Sequence, residues 1–338
     1  MVSYATFPAA FSHLLEIRPS VSVRSAMMGG SERGRTVVSV HVERSRRPLW
    51  SRPALVAIAG RGLGSVPPPA LVLAGIVSVQ MGAALAKQLF GLTGAIGAVT
   101  LRLLFAAIVL LVVWRPSLRI TRQELPVILG YGAVLAVMNL TFYQAITRIP
   151  LGMAVTIEFL GPLAVSIIGA RRWVHGVWAL LAAIGVFALT EAGGGGISVL
   201  GVLFALAAAT CWGLYIPLGA ALGKRTSGGR GLALAMAIGS LISLPLGIAE
   251  TGPALFSPVA LAAGFGVAML SSVLPYSVEL EALRRMPPRV FGVLMSLEPA
   301  VAALVGLLVL GQALHPVQWV AIACVVVASA GATRTQQN

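Results

Sequence analysis

PLGMAVTIEFLGPLAVSIIGARR, from Pro150 to Arg172, sets the reading of the whole chain. It is an apolar stretch of about membrane-spanning length with one acid, Glu158, near its middle and a proline, Pro162, four residues later. A carboxylate at the centre of a bilayer costs on the order of 3 kcal/mol on insertion scales, so Glu158 is expected to face protein or a wet cavity. Pro162 has no N–H to bond the carbonyl of Glu158, which places an acid and a released backbone oxygen at one level of the helix. A second stretch repeats the device. PPRVFGVLMSLEPAVAALVGLLVLG, Pro287 to Gly311, sets Glu298 mid-span and follows it with Pro299.

Composition agrees with a membrane setting. Hydrophobic residues make up 58% of the 338 and charged residues only 10%, with a mean hydropathy of +0.93, values that point to a polytopic all-α membrane protein. Apolar runs divided by charges and turn residues predict ten transmembrane helices near 70–90, 94–114, 125–147, 151–170, 174–190, 199–222, 231–249, 258–281, 290–310 and 316–333. The net charge of +14 does not read as a nucleic-acid patch, because the arginines lie in an N-terminal tail and in alternate short loops. Arg115, Arg119 and Arg122, then Arg171 and Arg172, then Lys224, Arg225 and Arg230, then Arg284, Arg285 and Arg289 fall on one side, and Arg148 on the other. Both termini are therefore expected in the cytoplasm.

Residues 1–66 are rich in Arg and Ser and lack a sustained apolar run. They read as a disordered cytoplasmic tail or as the product of a start codon assigned too far upstream. Beyond the tail the chain repeats itself. Ala145 to Pro150 matches Ala282 to Pro287 at an offset of 137, and Glu158 and His175 match Glu298 and His315 at an offset of 140. Two five-helix units follow, 67–192 and 197–333. An odd number of spans per unit turns the second upside down, an inverted repeat of the kind found in secondary transporters.

Several chemistries find little support. Gly219 to Thr226 is one residue short of a phosphate loop, and Arg225 stands where the magnesium-holding hydroxyl should be. No metalloprotease or nucleophile-elbow motif appears, so no enzyme is expected. Cys211 and Cys324 lie in separate apolar runs without neighbouring histidines, and His175 and His315 lie at helix ends. Neither a disulfide, a metal site nor a cofactor is expected.

PLGMAVTIEFLGPLAV, FGVLMSLEPAVAALVG, SVQMGAALAKQLFGLTGAIGAVTLRL (Ser78 to Leu103) and CWGLYIPLG (Cys211 to Gly219) together resemble the drug/metabolite transporter superfamily in its EamA branch. They are most similar to the threonine and homoserine exporters of bacterial inner membranes, over about residues 70 to 333. The resemblance implies an inner-membrane carrier exporting a small amino acid or similar metabolite. Exchange for protons is the expected drive, since desolvation favours the neutral form of a carboxyl and lets it take up a proton. The expected partners are a small solute, protons, the lipid bilayer and a possible second copy of the chain in a homodimer. A drug or hydrophobic-cation exporter of the same fold, or a membrane scaffold or sensor without transport, are the alternatives.

The polar residues within the spans are the candidate substrate and transport residues. Glu158 and Glu298 lead, for their repeat symmetry and adjacent prolines; Arg102 or Lys87 could meet a solute carboxylate. Asn139 and Tyr143 share one helix face and Trp212 and Tyr215 another, Tyr276 corresponds to Asn139 at the repeat offset, and Gln80 completes the group. Glu279 is a further intramembrane acid. The competing structural role for the acids is neutralisation by Arg102 or Lys87, and for the aromatics packing.

Overall fold

The computed structural model describes residues 66–168, 174–191, 198–226 and 229–335. Among them the chain is helical, without strands. We number the helices α1 (Pro68–Trp114), α2 (Leu125–Ile146), α3 (Leu151–Glu158), α4 (Leu160–Ile168), α5 (Val174–Glu191), α6 (Val199–Arg225), α7 (Arg230–Thr251), α8 (Pro258–Ala268), α9 (Leu274–Arg285), α10 (Pro288–Met295), α11 (Glu298–Leu310) and α12 (Pro316–Thr335). A short 3-10 turn, Gly252–Phe256, joins α7 to α8, and a π segment, Met269–Val273, joins α8 to α9. Six stretches among the described residues are long and apolar enough to cross a bilayer, and three shorter apolar helices accompany them. Their outward faces are apolar: Val112 is 64% exposed, Leu241 66% and Leu308 79%. Such a surface suits lipid rather than water.

A straight helix of the 47 residues of α1 would run to about 70 Å, more than twice the hydrocarbon thickness of a bilayer. It is not straight. Gly94 has φ +67° and ψ 178°, a conformation open to glycine. Before it, Gly75 faces Glu279, Gly82 faces Ser271 and Leu85 faces Gly266; after it, Gly97 faces Leu255, Leu101 faces Gly264 and Arg102 meets Ser271. The first arm thus runs antiparallel to the α8–α9 rod and the second parallel to it, so the chain reverses at Gly94. The helices expected at 70–90 and 94–114 are these two arms.

Three other expected single helices are interrupted, each near a proline. The stretch expected at 151–170 divides at Phe159, that at 290–310 divides at Ser296 and Leu297, and that at 258–281 loosens into the π segment. A proline cannot bond the carbonyl four residues before it. Accordingly α3 ends at Glu158, four before Pro162, and α10 ends at Met295, four before Pro299.

Close backbone approach binds the bundle. A Cβ on Gly152 of α3 would lie 2.6 Å from Ala303 Cα of α11, and one on Gly132 of α2 would lie 2.6 Å from the Ala235 carbonyl oxygen of α7. The main apolar core includes Ala98, Tyr143, Met153, Ala235 and Ala302. A second apolar cluster, with Val72, Ile76, Ala282, Phe291 and Met295, lies at the end of the bundle where α1 begins and α9 finishes.

That end also bears Arg115, Arg119, Arg225 and Arg230. Thr121 and Glu124 form a reciprocal cap before α2: the Thr121 N–H donates to Glu124 Oε2 at 2.8 Å and the Glu124 N–H donates to Thr121 Oγ1 at 3.3 Å. Arg230, opening α7, donates to Glu124 Oε1 at 2.8 Å, to the Arg119 carbonyl at 2.6 Å and to the Ser117 carbonyl at 3.0 Å. The Thr121 amide first, and Arg230 second, hold the Glu124 carboxyl below the usual carboxylate range. At the opposite end of α7, Glu250 Oε2 accepts the N–H of Ile96 at 2.8 Å and of Gly97 at 3.1 Å, capping the second arm of α1, while the Thr251 hydroxyl donates to the Thr93 carbonyl. Midway, the Thr100 hydroxyl donates to the Ser243 carbonyl at 2.9 Å.

Candidate functional site

Glu298 opens α11, with Pro299 next to it, and so sits at a helix N-terminus, whose dipole favours an anion. Gln80, on the first arm of α1, donates from Nε2 to Glu298 Oε1 at 3.1 Å. Both residues are deeply buried, at 1% and 7% exposure. Among the described residues, Gln80 Oε1 and Glu298 Oε2 have no hydrogen-bond partner. A buried acceptor left unmet costs about 1–3 kcal/mol, so two side by side form a place suited to a donor-rich group.

Glu158 closes α3, where the helix dipole opposes an anion. The repeated motif therefore places its two acids on opposite helix ends. The charges of Glu298 and Arg102 both act on Glu158. Arg102, on the second arm of α1, donates from Nη1 to the Tyr143 hydroxyl and from Nη2 to the Ser271 carbonyl, each at 3.3 Å, and its guanidinium carbon stands 5.7 Å from the Tyr143 ring centre. Tyr143 is fully buried and packs against Phe90 at 5.8 Å. Phe159, at the break beside Glu158, meets Trp212 edge to face at 5.4 Å.

The fold thus pairs Gln80 with Glu298 and Arg102 with Tyr143, with Glu158 in electrostatic reach of Glu298 and of Arg102 and Trp212 set beside its neighbour Phe159. Other candidates lie elsewhere or face other partners. Asn139 donates to the Leu135 carbonyl of its own helix at 2.8 Å, and Tyr215 stacks on Tyr131 at 4.6 Å. Lys87 is half-buried on the same face of α1 as Gln80, two turns and so about 10 Å further along. The side chain of Tyr276 lies outside the described residues. The π segment was not anticipated. Its Leu270 carbonyl accepts the Ser78 hydroxyl at 2.7 Å, and its Ser271 carbonyl accepts Arg102. The signal was present in Pro275, which removes the bond to Ser271 by the same rule that applies to Pro162 and Pro299.

Residues 199–334 match the EamA-like transporter family. Over 271 residues the chain is 41% identical to the threonine/homoserine exporter RhtA of Escherichia coli (strain K12), covering 79% of this chain and 92% of the relative. It is 40% identical, with the same coverage, to the threonine/homoserine exporter RhtA of Salmonella typhimurium (strain LT2). These relatives are exporters, not enzymes. A protein of known crystal structure superposes with a TM-score of 0.53 at 20% identity, over 79% of this chain and 98% of that one, a likeness of fold alone. With nine-tenths of each exporter's length covered at this identity, the chain belongs to the EamA-like transporter family.

Proposed function

We propose that the chain is a ten-span inner-membrane carrier that exports a small amino acid, of the threonine or homoserine kind, in exchange for protons. The observation that supports it most is the pair of unmet acceptors, Gln80 Oε1 and Glu298 Oε2, in a buried site whose neighbouring acid, Glu158, also feels the Arg102 cation. A zwitterion offers an ammonium with three donors and a carboxylate, so the acceptor pair suits its amino end and Arg102 its carboxyl end. Glu158, where the helix end disfavours the anion, takes the proton, and Glu298, where it favours the anion, holds the ammonium. Trp212 and Tyr143 close the site against lipid.

Two inverted repeats, 67–192 and 197–333, supply the site. In support, Thr156 bonds the Gly152 carbonyl and Ser296 the Gly292 carbonyl, the same offset of 140 that relates Glu158 to Glu298. The arginine-bearing end faces the cytoplasm, together with both termini.

The deciding experiment is growth of cells overproducing the chain on an inhibitory panel of amino acids and toxic cations, with intracellular pools measured. Resistance to threonine and homoserine with lowered pools is expected. Resistance confined to cations, or no change in any pool with the protein present in the membrane, would overturn the reading.

A further inference from the structure

We infer that Glu279 is a third proton-carrying carboxyl, the station between Glu298 and the arginine-bearing face. This rests on the proton-exchange reading of the site. Glu279 lies on α9 and faces the first arm of α1 at Gly75, where a Cβ would come within 3.1 Å of its Oε1 and 3.2 Å of its Cγ. The missing side chain of Gly75 is what makes room for the carboxyl. Gly75 and Gln80 are five residues apart on one helix, so Glu279 and the Glu298 that Gln80 bonds are offset by roughly 7 Å along the axis and by more than a third of a turn around it, and a proton crosses between them by way of water. The Glu298 charge acts on Glu279. Glu298 itself keeps an oxygen, Oε2, buried and unmet, and among the described residues Glu279 has no hydrogen bond or ion pair. Both ends of the step are therefore open.

The surroundings explain why a station is needed. Val72, Ile76, Ala282, Phe291 and Met295 form an apolar collar between Glu298 and the arginine-bearing face, and Glu279 is half-buried within that layer. Water does not conduct a proton through such a layer, whereas an ionisable group set in it does. The other charged groups nearby are Glu281 and Arg285 on its own helix; the first arm of α1 offers none between Val66 and Ala86. The side chains of Arg284 and Arg289 lie outside the described residues. In the step, the proton taken up at Glu158 passes through Glu298, which is left as the anion that accepts the solute ammonium, and by way of water to the Glu279 carboxylate, and Glu279 releases it at the inner face.

The purified full-length protein in lipid vesicles with an internal pH dye separates the possibilities. Threonine counterflow needs solute binding and reorientation; a threonine-driven pH change also needs proton release. Glu279→Gln is expected to keep counterflow within about twofold of the wild type and to lose the pH change at least tenfold, with Glu279→Asp restoring part of it. Gly75→Ala, which presses on the same carboxyl from α1, is expected to do the same more weakly. Retention of the pH change in proportion to flux, or an equal fall of both readouts in protein that stays monodisperse, would overturn the role. Wild-type counterflow with no pH change at all would instead remove the proton-exchange reading beneath it.

Discussion

Replacing Glu298 tests the site most sharply, because two substitutions of similar size should separate stability from transport. Glu298→Gln keeps an oxygen to accept from Gln80 Nε2 and adds an N–H2 beside Gln80 Oε1, now unmet. An intramolecular hydrogen bond is worth about 1 kcal/mol net, so the variant should lie within about 1 kcal/mol of the wild type in stability, or slightly above it. Glu298→Leu strips the Gln80 amide, 1% exposed, of its partner, and should cost about 1–3 kcal/mol. Transport should follow a different order. A hydrogen bond from an ammonium to a carboxylate is worth about 1.5–3 kcal/mol. At about 1.4 kcal/mol per tenfold, both variants should weaken the half-saturation of threonine counterflow on the order of 10- to 100-fold. Thermal unfolding in detergent and counterflow in vesicles measure the two quantities. A Glu298→Gln protein that is as unstable as Glu298→Leu, or that binds threonine as tightly as the wild type, would refute the assignment of this carboxylate to the ammonium.

Glu158→Gln should leave the protein abundant in the membrane while flattening the pH dependence of counterflow, which a pH series between about 5 and 8 would read. Deleting residues 2 to 60 should leave insertion and flux near wild type, as immunoblots and uptake assays would show, because that segment lacks the apolar content to pack into the bundle. The depressed Glu124 carboxyl contributes stability that is present above the ordinary carboxylate range and lost as pH falls through its lowered folded value. Arg230→Ala should move that loss to higher pH without abolishing it, since the Thr121 amide remains, and melting curves from pH 7 downward would follow it. Gly132→Ala puts a methyl against the Ala235 carbonyl and should destabilise by about 1–3 kcal/mol. Gly91→Ala, with no atom within 4 Å of the new methyl, should be neutral or stabilising by about 0.5–1 kcal/mol in the same melts.

The all-helical character was legible because apolar runs and their separation need nothing beyond local composition. The carbonyl that Pro162 releases at Glu158 was legible for the same reason, since a proline acts at a fixed distance along the chain, although continuous helices were expected at 151–170 and 290–310 where the chain breaks. Pro275 obeys that rule too, releasing the Ser271 carbonyl, but whether a released carbonyl breaks a helix or loosens it into a π segment depends on the packing around it. The partnership of Gln80 with Glu298 spans 218 residues and depends on how α1 doubles back, which no local pattern encodes. Asn139 shows the converse. Its spacing from Tyr143 sets both on one helix face, but an amide four residues from a carbonyl of its own helix can as readily turn back to it, and this one does.

The helix from Arg230 to Thr251 has a consequence for how the protein is made. By sequence it follows the midpoint of the chain, yet it is fastened to both arms of α1 and to the loop before α2, at both ends and in the middle. Until residues 230–251 are made, the Ile96 and Gly97 amides at the start of the second arm have no Glu250 carboxylate to receive them, and Glu124 has no Arg230. Those groups are completed only once residue 251 has emerged. The early spans are therefore held in an unfinished state during synthesis, able to enter the bilayer one by one but unable to close into a bundle until a late segment arrives to join them.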